Sequence, residues 1–105
     1  MKTVNDIPGI LPEEQQKLGA IFGECSFVER VVLYGSRAKM DYRDGSDIDL
    51  TLKGTQITTQ QLLELCSRID DLLLPYEVDL SIFDHIDHKE LIDHIHRVGK
   101  VIFER

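Results

Sequence analysis

Cysteine and proline are scarce in this chain, no apolar run is long, and positive charge is in deficit. Its 105 residues include two cysteines, Cys25 and Cys66, and three prolines. Disulfide scaffolds are denser in cysteine, and both thiols sit on apolar helical patterns, so they are expected as reduced core residues of a cytoplasmic protein. The longest apolar run is far too short to cross a bilayer. "MKTVNDIPGILPEEQQ" lacks the apolar stretch of a secretory leader, so no membrane association is expected. Lys and Arg number 12 against 19 Asp and Glu, a formal net charge of −7. Phosphate neutralisation drives nucleic-acid coating and calls for a basic stripe; none is present, so unaided nucleic-acid binding is not expected. There is no internal repeat and no low-complexity tract. The apolar fraction of 42% suffices for one core and excludes a disordered chain. The length suits a single domain, residues 1–105, whose site would be an open cleft.

Residues 1–11 read as a lead-in carrying the turn-prone Pro8-Gly9. Pro12, Glu13 and Glu14 suit the first turn of a helix, and Leu18, Ile21, Phe22 and Cys25 continue its period to about Ser26. Arg30 to Tyr34 is β-branched and apolar, a buried strand stopped by Gly35. A short helix follows from about Ser36, and "RDGS" is turn chemistry. "SDIDLTLK" alternates strictly, with Asp47, Asp49, Thr51 and Lys53 on one face and Ile48, Leu50 and Leu52 on the other. Thr58 or Thr59 caps a helix whose stripe is Leu62, Leu65, Cys66, Ile69, Leu72 and Leu73, and Pro75 ends it. "EVDLSIF" alternates again, with Asp79 and Ser81 opposite Val78, Leu80 and Ile82. Asp87 and Glu90 form a capping box for the last helix, with Gly99 at its C′ position. "KVIFE" is a closing strand. The order α-β-α-β-α-β-α-β predicts an α/β (α+β) fold, a mixed sheet of about four strands flanked by helices.

Asp47 and Asp49 point to one side of one strand, their Cα atoms about 6.6 Å apart at a rise of about 3.3 Å per residue. If the next strand pairs with theirs, Asp79 joins them across a spacing of about 4.8 Å. Taken singly, each is an ordinary solvated aspartate. Together, three carboxylates on one face repel one another, and a divalent cation removes that cost. All-oxygen ligands suit Mg²⁺ or Mn²⁺ and not Zn²⁺, and such a site binds its metal together with substrate phosphates. Upstream, Gly35 permits close backbone approach at a helix start, Ser36 adds a hydroxyl and Arg37 a cation, the makings of a phosphate grip.

Gly35-Ser36, ten further residues and then Asp47-Ile48-Asp49 resemble the signature of the DNA polymerase β nucleotidyltransferase superfamily. "VDLSIF" resembles the strand that supplies its third carboxylate. The resemblance covers most of the chain and is closest to the minimal nucleotidyltransferases (MNT proteins). It implies the polymerase β-like nucleotidyltransferase fold and transfer of a nucleoside monophosphate from a nucleoside triphosphate, with ATP as the expected substrate, to a hydroxyl. It further implies that Asp47, Asp49 and Asp79 hold Mg²⁺ or Mn²⁺ and carry catalysis, and that Gly35, Ser36 and Arg37 bind the nucleotide. Minimal members are often encoded beside a small helical HEPN protein. Some act as antitoxins that adenylylate a tyrosine on it. One departure is visible: where the family commonly continues Gly-Ser-Arg-Ala with Arg-Gly, this chain has Lys39-Met40.

Two other readings accompany that one: transfer to a small molecule or RNA end held by a separate substrate-binding chain, and a non-catalytic module that neutralises a partner by docking alone. His85, His88, His94 and His96 are read as solvated or capping positions, since residues two apart on a helix diverge. Cys66 has no histidine near it in sequence. Leu63 and Leu74 lie partly off the core stripe of their helix and are candidates for a protein-binding patch.

Overall fold

The structure is a computed structural model that describes residues 3–4 and 7–105; the rest of the expected lead-in lies outside the described residues. One mixed sheet organises it, in the order β1-β5-β2-β3-β4. The strands are β1 (Thr3–Val4), β2 (Arg30–Tyr34), β3 (Ile48–Lys53), β4 (Val78–Ile82) and β5 (Lys100–Glu104). The helices are α1 (Pro12–Glu24), α2 (Gly35–Lys39), α3 (Thr59–Asp70) and α4 (Lys89–Val98), with a 3₁₀ turn at Phe83–His85. Four strands and four helices fall where the alternation and periodicity put them. The two-residue β1, inside the expected lead-in, adds a short antiparallel edge on β5.

β2 runs antiparallel to both β3 and β5, while β3 and β4 are parallel. A parallel pair needs a crossover, and α3 provides it. The apolar sides of the strands, Val31, Leu33, Ile48, Leu50, Leu52, Leu80 and Ile82, pack with Leu18, Phe22, Leu65 and Ile69 of α1 and α3 in the main core. α4 covers part of the opposite face, where Ile95 packs with Val32 and Tyr34. The rest of that face carries Asp49, Asp79 and Ser81. Among the described residues no helix is long and apolar enough to cross a membrane.

Local chemistry sets the element ends. Glu14 accepts from the Leu11 amide at 2.8 Å at the start of α1. Thr58 caps α3 in a reciprocal box: its hydroxyl accepts from the Gln61 amide at 3.1 Å, and the Gln61 side chain accepts from the Thr58 amide at 2.9 Å. At the far end of the chain, the Arg105 guanidinium donates to the Phe22 and Cys25 carbonyls at 2.9 and 2.8 Å, satisfying the last turn of α1.

Three boundary expectations change. α3 ends at Asp70, well before Pro75. The amides of Leu72 and Leu73 bond three residues back, tightening the chain, because Pro75 disfavours helix at the residue before it. Leu73 then takes a left-handed φ of 55° and is 87% exposed, so it leaves the predicted stripe. The cap of α4 is His88, whose Nδ1 accepts from the Leu91 amide at 3.3 Å, and not Asp87. That places the cap one residue later than the Asp87–Glu90 spacing requires. Gly99 ends α4 with φ −60°, outside the left-handed region. Glycine is needed there for room: a Cβ would collide with the Ile95 carbonyl oxygen and crowd Val32.

Candidate active site

The register across β2, β3 and β4 assembles the site. Tyr34 is paired with Asp49, and Asp49 with Asp79. One row across three strands therefore reads Tyr34–Asp49–Asp79, with neighbours about 4.8 Å apart. The row behind it holds Thr51 and Ser81, whose hydroxyls meet at 2.9 Å. Asp47 precedes β3 and is exposed, as is Asp79, while Asp49 is half-buried.

Burial raises the Asp49 carboxyl above its ordinary value of 3.8, and the charges of Asp79 and Asp47 push it further the same way. Tyr34 is likewise raised, by burial first of all; a hydrogen bond with Ser81 opposes this, and the charges of Asp79 and Asp49 add to it. Mutual repulsion is thus present at the position the alternation pattern singled out. Among the described residues no three His, Cys, Asp or Glu side chains stand close enough to hold an ion as they are placed. The donor set itself, carboxylate oxygens on an open face with one carboxyl held above its usual range, fits a hard divalent cation.

Gly35 joins the row to α2. Its φ is +76°, and a Cβ would run into Asp49 Oδ2. No other residue satisfies both demands. Its amide donates to His94 Nε2 at 3.1 Å, and the His94 ring meets Tyr34 edge-on, centroids 6.1 Å apart. Ser36 follows, partly exposed at the start of α2.

Arg37 is placed differently from a surface phosphate contact. It is 1% exposed. Its guanidinium donates to Pro8 O at 2.7 Å and to Ser46 O at 2.7 and 3.3 Å, and lies between the rings of Tyr42 and Tyr76, 5.0 and 4.9 Å from their centroids. It braces the turn that delivers Asp47 and Asp49. The Lys39-Met40 departure also acquires a meaning. Met40 caps α2 with φ 66°, the left-handed conformation a glycine adopts without cost.

The structure therefore brings Gly35, Asp49 and Asp79 together with Asp47 close by in the chain, leaves Ser36 partly exposed next to Gly35, and turns Arg37 inward. Composition and spacing missed His94, which is at the site and not in solvent. The available signal was its place on α4: three residues after Leu91 and four before Val98, it shares their inward face. His96, by contrast, is exposed and packs on Phe83.

No curated protein matches the sequence. A toxin–antitoxin crystal structure with AMP-PNP superposes with a TM-score of 0.71 at 20% identity, over 90% of this chain and 75% of that one. The MntA–HepT toxin–antitoxin gives 0.66 at 16% identity, over 90% and 74%. The tri-AMPylated Shewanella oneidensis HEPN toxin in complex with its MNT antitoxin gives 0.60 at 18% identity, over 88% and 73%. At these identities the likeness establishes the fold. The family is established by sequence: the model described as polymerase beta, nucleotidyltransferase, matches residues 16–105, and the chain belongs to that family.

Proposed function

We propose that this nucleotidyltransferase moves AMP from ATP to a hydroxyl of a partner protein, a tyrosine of a small helical HEPN-type chain, and so acts as an antitoxin. The observation that carries the reading is the Tyr34–Asp49–Asp79 row with Gly35 pressed against Asp49. Support for the acceptor class comes from the neighbours, which are toxin–antitoxin pairs, one holding AMP-PNP and one a tri-AMPylated toxin. Residues 1–105 act as a single minimal domain in this reading: one sheet gathers every strand among the described residues. Both cysteines are free thiols, in keeping with a cytoplasmic setting.

Asp47, Asp49 and Asp79 are the residues that would hold Mg²⁺ or Mn²⁺, which when bound supplies the positive charge that draws carboxylates and phosphates together. Ser36 receives the β- and γ-phosphates on the turn that Gly35 shapes at the start of α2, which leaves the α-phosphate over the aspartate row. The acceptor oxygen attacks the α-phosphorus, a new phosphoester bond forms, and the bond to the bridging oxygen breaks. Pyrophosphate leaves with the electron pair. Asp79, exposed at the sheet edge, takes the acceptor proton. In-line positioning and charge stabilisation carry this chemistry. Arg37 serves the nucleotide indirectly, by fixing the Ser46 carbonyl and with it the approach to β3.

The test is label transfer from ATP radiolabelled at the α-phosphate, with Mg²⁺, into extract from the source cells. Wild type is compared with Asp79→Asn. A protein band labelled by wild type alone is the expected result. Label in a small molecule or RNA overturns the acceptor assignment. Partner binding by both forms with no label anywhere leaves docking as the function.

A further inference from the structure

His94 is the one histidine whose ring reaches the aspartate row. It comes from α4, the element that covers the neighbouring part of the same face. Its Nε2 accepts from the Gly35 amide at 3.1 Å, and its ring is set edge-on against Tyr34. Tyr34 and Gly35 are consecutive, the last residue of β2 and the first of α2. Gly35 in turn is in contact with the Asp49 carboxylate through the space a Cβ would fill. The chain from α4 to the site is thus continuous: His94, the Gly35 peptide, Asp49.

A glycine at φ +76° has many alternatives open to it, and a lone tight turn does not hold itself in one of them. Hydrogen-bond acceptance by a side chain from a different helix removes that freedom. The same bond uses the Gly35 N–H, so the amide is satisfied before any nucleotide arrives. What remains for phosphate at this turn is Ser36.

We propose that His94 is a positioning residue of the nucleotide site, locking the Tyr34–Gly35–Ser36 turn so that Ser36 and the Asp49 carboxylate keep a fixed relation to each other. The proposal rests on the reading of Gly35–Ser36 as the phosphate grip. His94 acts through Gly35 and does not itself take part in the transfer.

Three variants separate the acceptor from the ring. His94→Phe keeps the edge contact with Tyr34 and removes the acceptor. His94→Gln places an amide oxygen near the Nε2 position. His94→Ala removes both. The readouts are the Kd for Mg²⁺–AMP-PNP by calorimetry, KM and kcat for ATP in the label-transfer assay, and the melting midpoint. Loss of one hydrogen bond at the turn should raise Kd and KM about tenfold in the Phe and Ala variants. kcat stays within about twofold, as for an interaction felt equally by ground and transition states. Gln restores Kd and KM to near wild type. A bond that matters only for folding lowers the melting midpoint and the active fraction, and leaves KM untouched; that outcome overturns the proposal. So does a Gln variant as impaired as Phe. Failure of wild type to bind Mg²⁺–AMP-PNP overturns the nucleotide-site reading as well, whereas normal binding by wild type and Phe alike overturns the role of His94 alone.

Discussion

Replacing Asp49 by asparagine should stabilise the nucleotide-free protein while abolishing transfer. The substitution keeps the side chain's shape beside Gly35 and removes one negative charge. Asp49 faces Asp79 directly across β3 and β4, with Asp47 two residues back in the chain, just before β3 begins. Two unit charges about 6 Å apart repel by about 0.7 kcal/mol in water and about 3 kcal/mol at an effective dielectric of about 20. The site is open and Asp79 is exposed, so screening holds each term near the lower limit. The sum over two neighbours is about 1 kcal/mol, or about 5 °C in melting midpoint for a domain of this size.

The pH dependence carries the sign. Burial and the neighbouring charges raise the Asp49 carboxyl in the folded protein above its ordinary 3.8. A group raised on folding contributes stability below its unfolded value and loses that contribution as pH rises through the folded one. Wild type should therefore match Asp49→Asn in acid and fall below it toward neutrality. Mg²⁺ should raise the midpoint of wild type, since a ligand that binds only the folded state stabilises it, and should do less for the variant. Melting scans at several pH values, with and without Mg²⁺, provide the assay. A variant less stable than wild type at pH 7, or a gap that does not change with pH, would refute the repulsion argument.

Other substitutions test the scaffold. Arg37→Met should cost about 3 kcal/mol in urea unfolding, since it strands the Pro8 and Ser46 carbonyls and removes a cation between two rings; a loss below 1 kcal/mol would show that the brace contributes little. Met40→Gly should stabilise the chain by about 0.5–1 kcal/mol by relieving the left-handed cap, because the Met40 side chain is 61% exposed and little packing is lost; an unchanged or lower denaturation midpoint contradicts this. Gly35→Ala should leave far-ultraviolet dichroism near wild type yet eliminate Mg²⁺–AMP-PNP binding, because the new methyl occupies the space of Asp49 Oδ2; retained affinity would sink the close-approach argument.

Much of the sheet was legible because its period is two and its two faces differ in polarity. β3 and β4 each alternate without error, and the polar residues they share, Asp49 with Asp79 and Thr51 with Ser81, fall in register. Alternation names a face, and sequence adjacency makes pairing of β3 with β4 the first guess. What alternation does not give is the neighbour of a residue through space. β2 has β3 and β5 on either side, so Tyr34 joins the aspartate row by antiparallel pairing that no local pattern in "RVVLYG" announces.

Side-chain direction is where a motif misleads. Ser36 and Arg37 are adjacent, and both look suited to phosphate. On a helix, adjacent residues are turned about 100° apart, so one can face the cleft while the next faces the core. Here Ser36 stays partly exposed, and Arg37 reaches back to Pro8 and across to Ser46. A buried guanidinium requires several acceptors at fixed positions, and they come from segments 29 and 9 residues away. The same long-range placement hid His94, whose partner is 59 residues upstream. In both cases the residue type advertised a ligand contact or a solvated face, and the tertiary fold assigned it to backbone carbonyls or an amide. The aspartates escape this ambiguity because an ionised carboxylate without a partner has no stable place in the core. Their outward direction follows from charge alone, which is why the carboxylate row could be read in advance and the two residues that brace it could not.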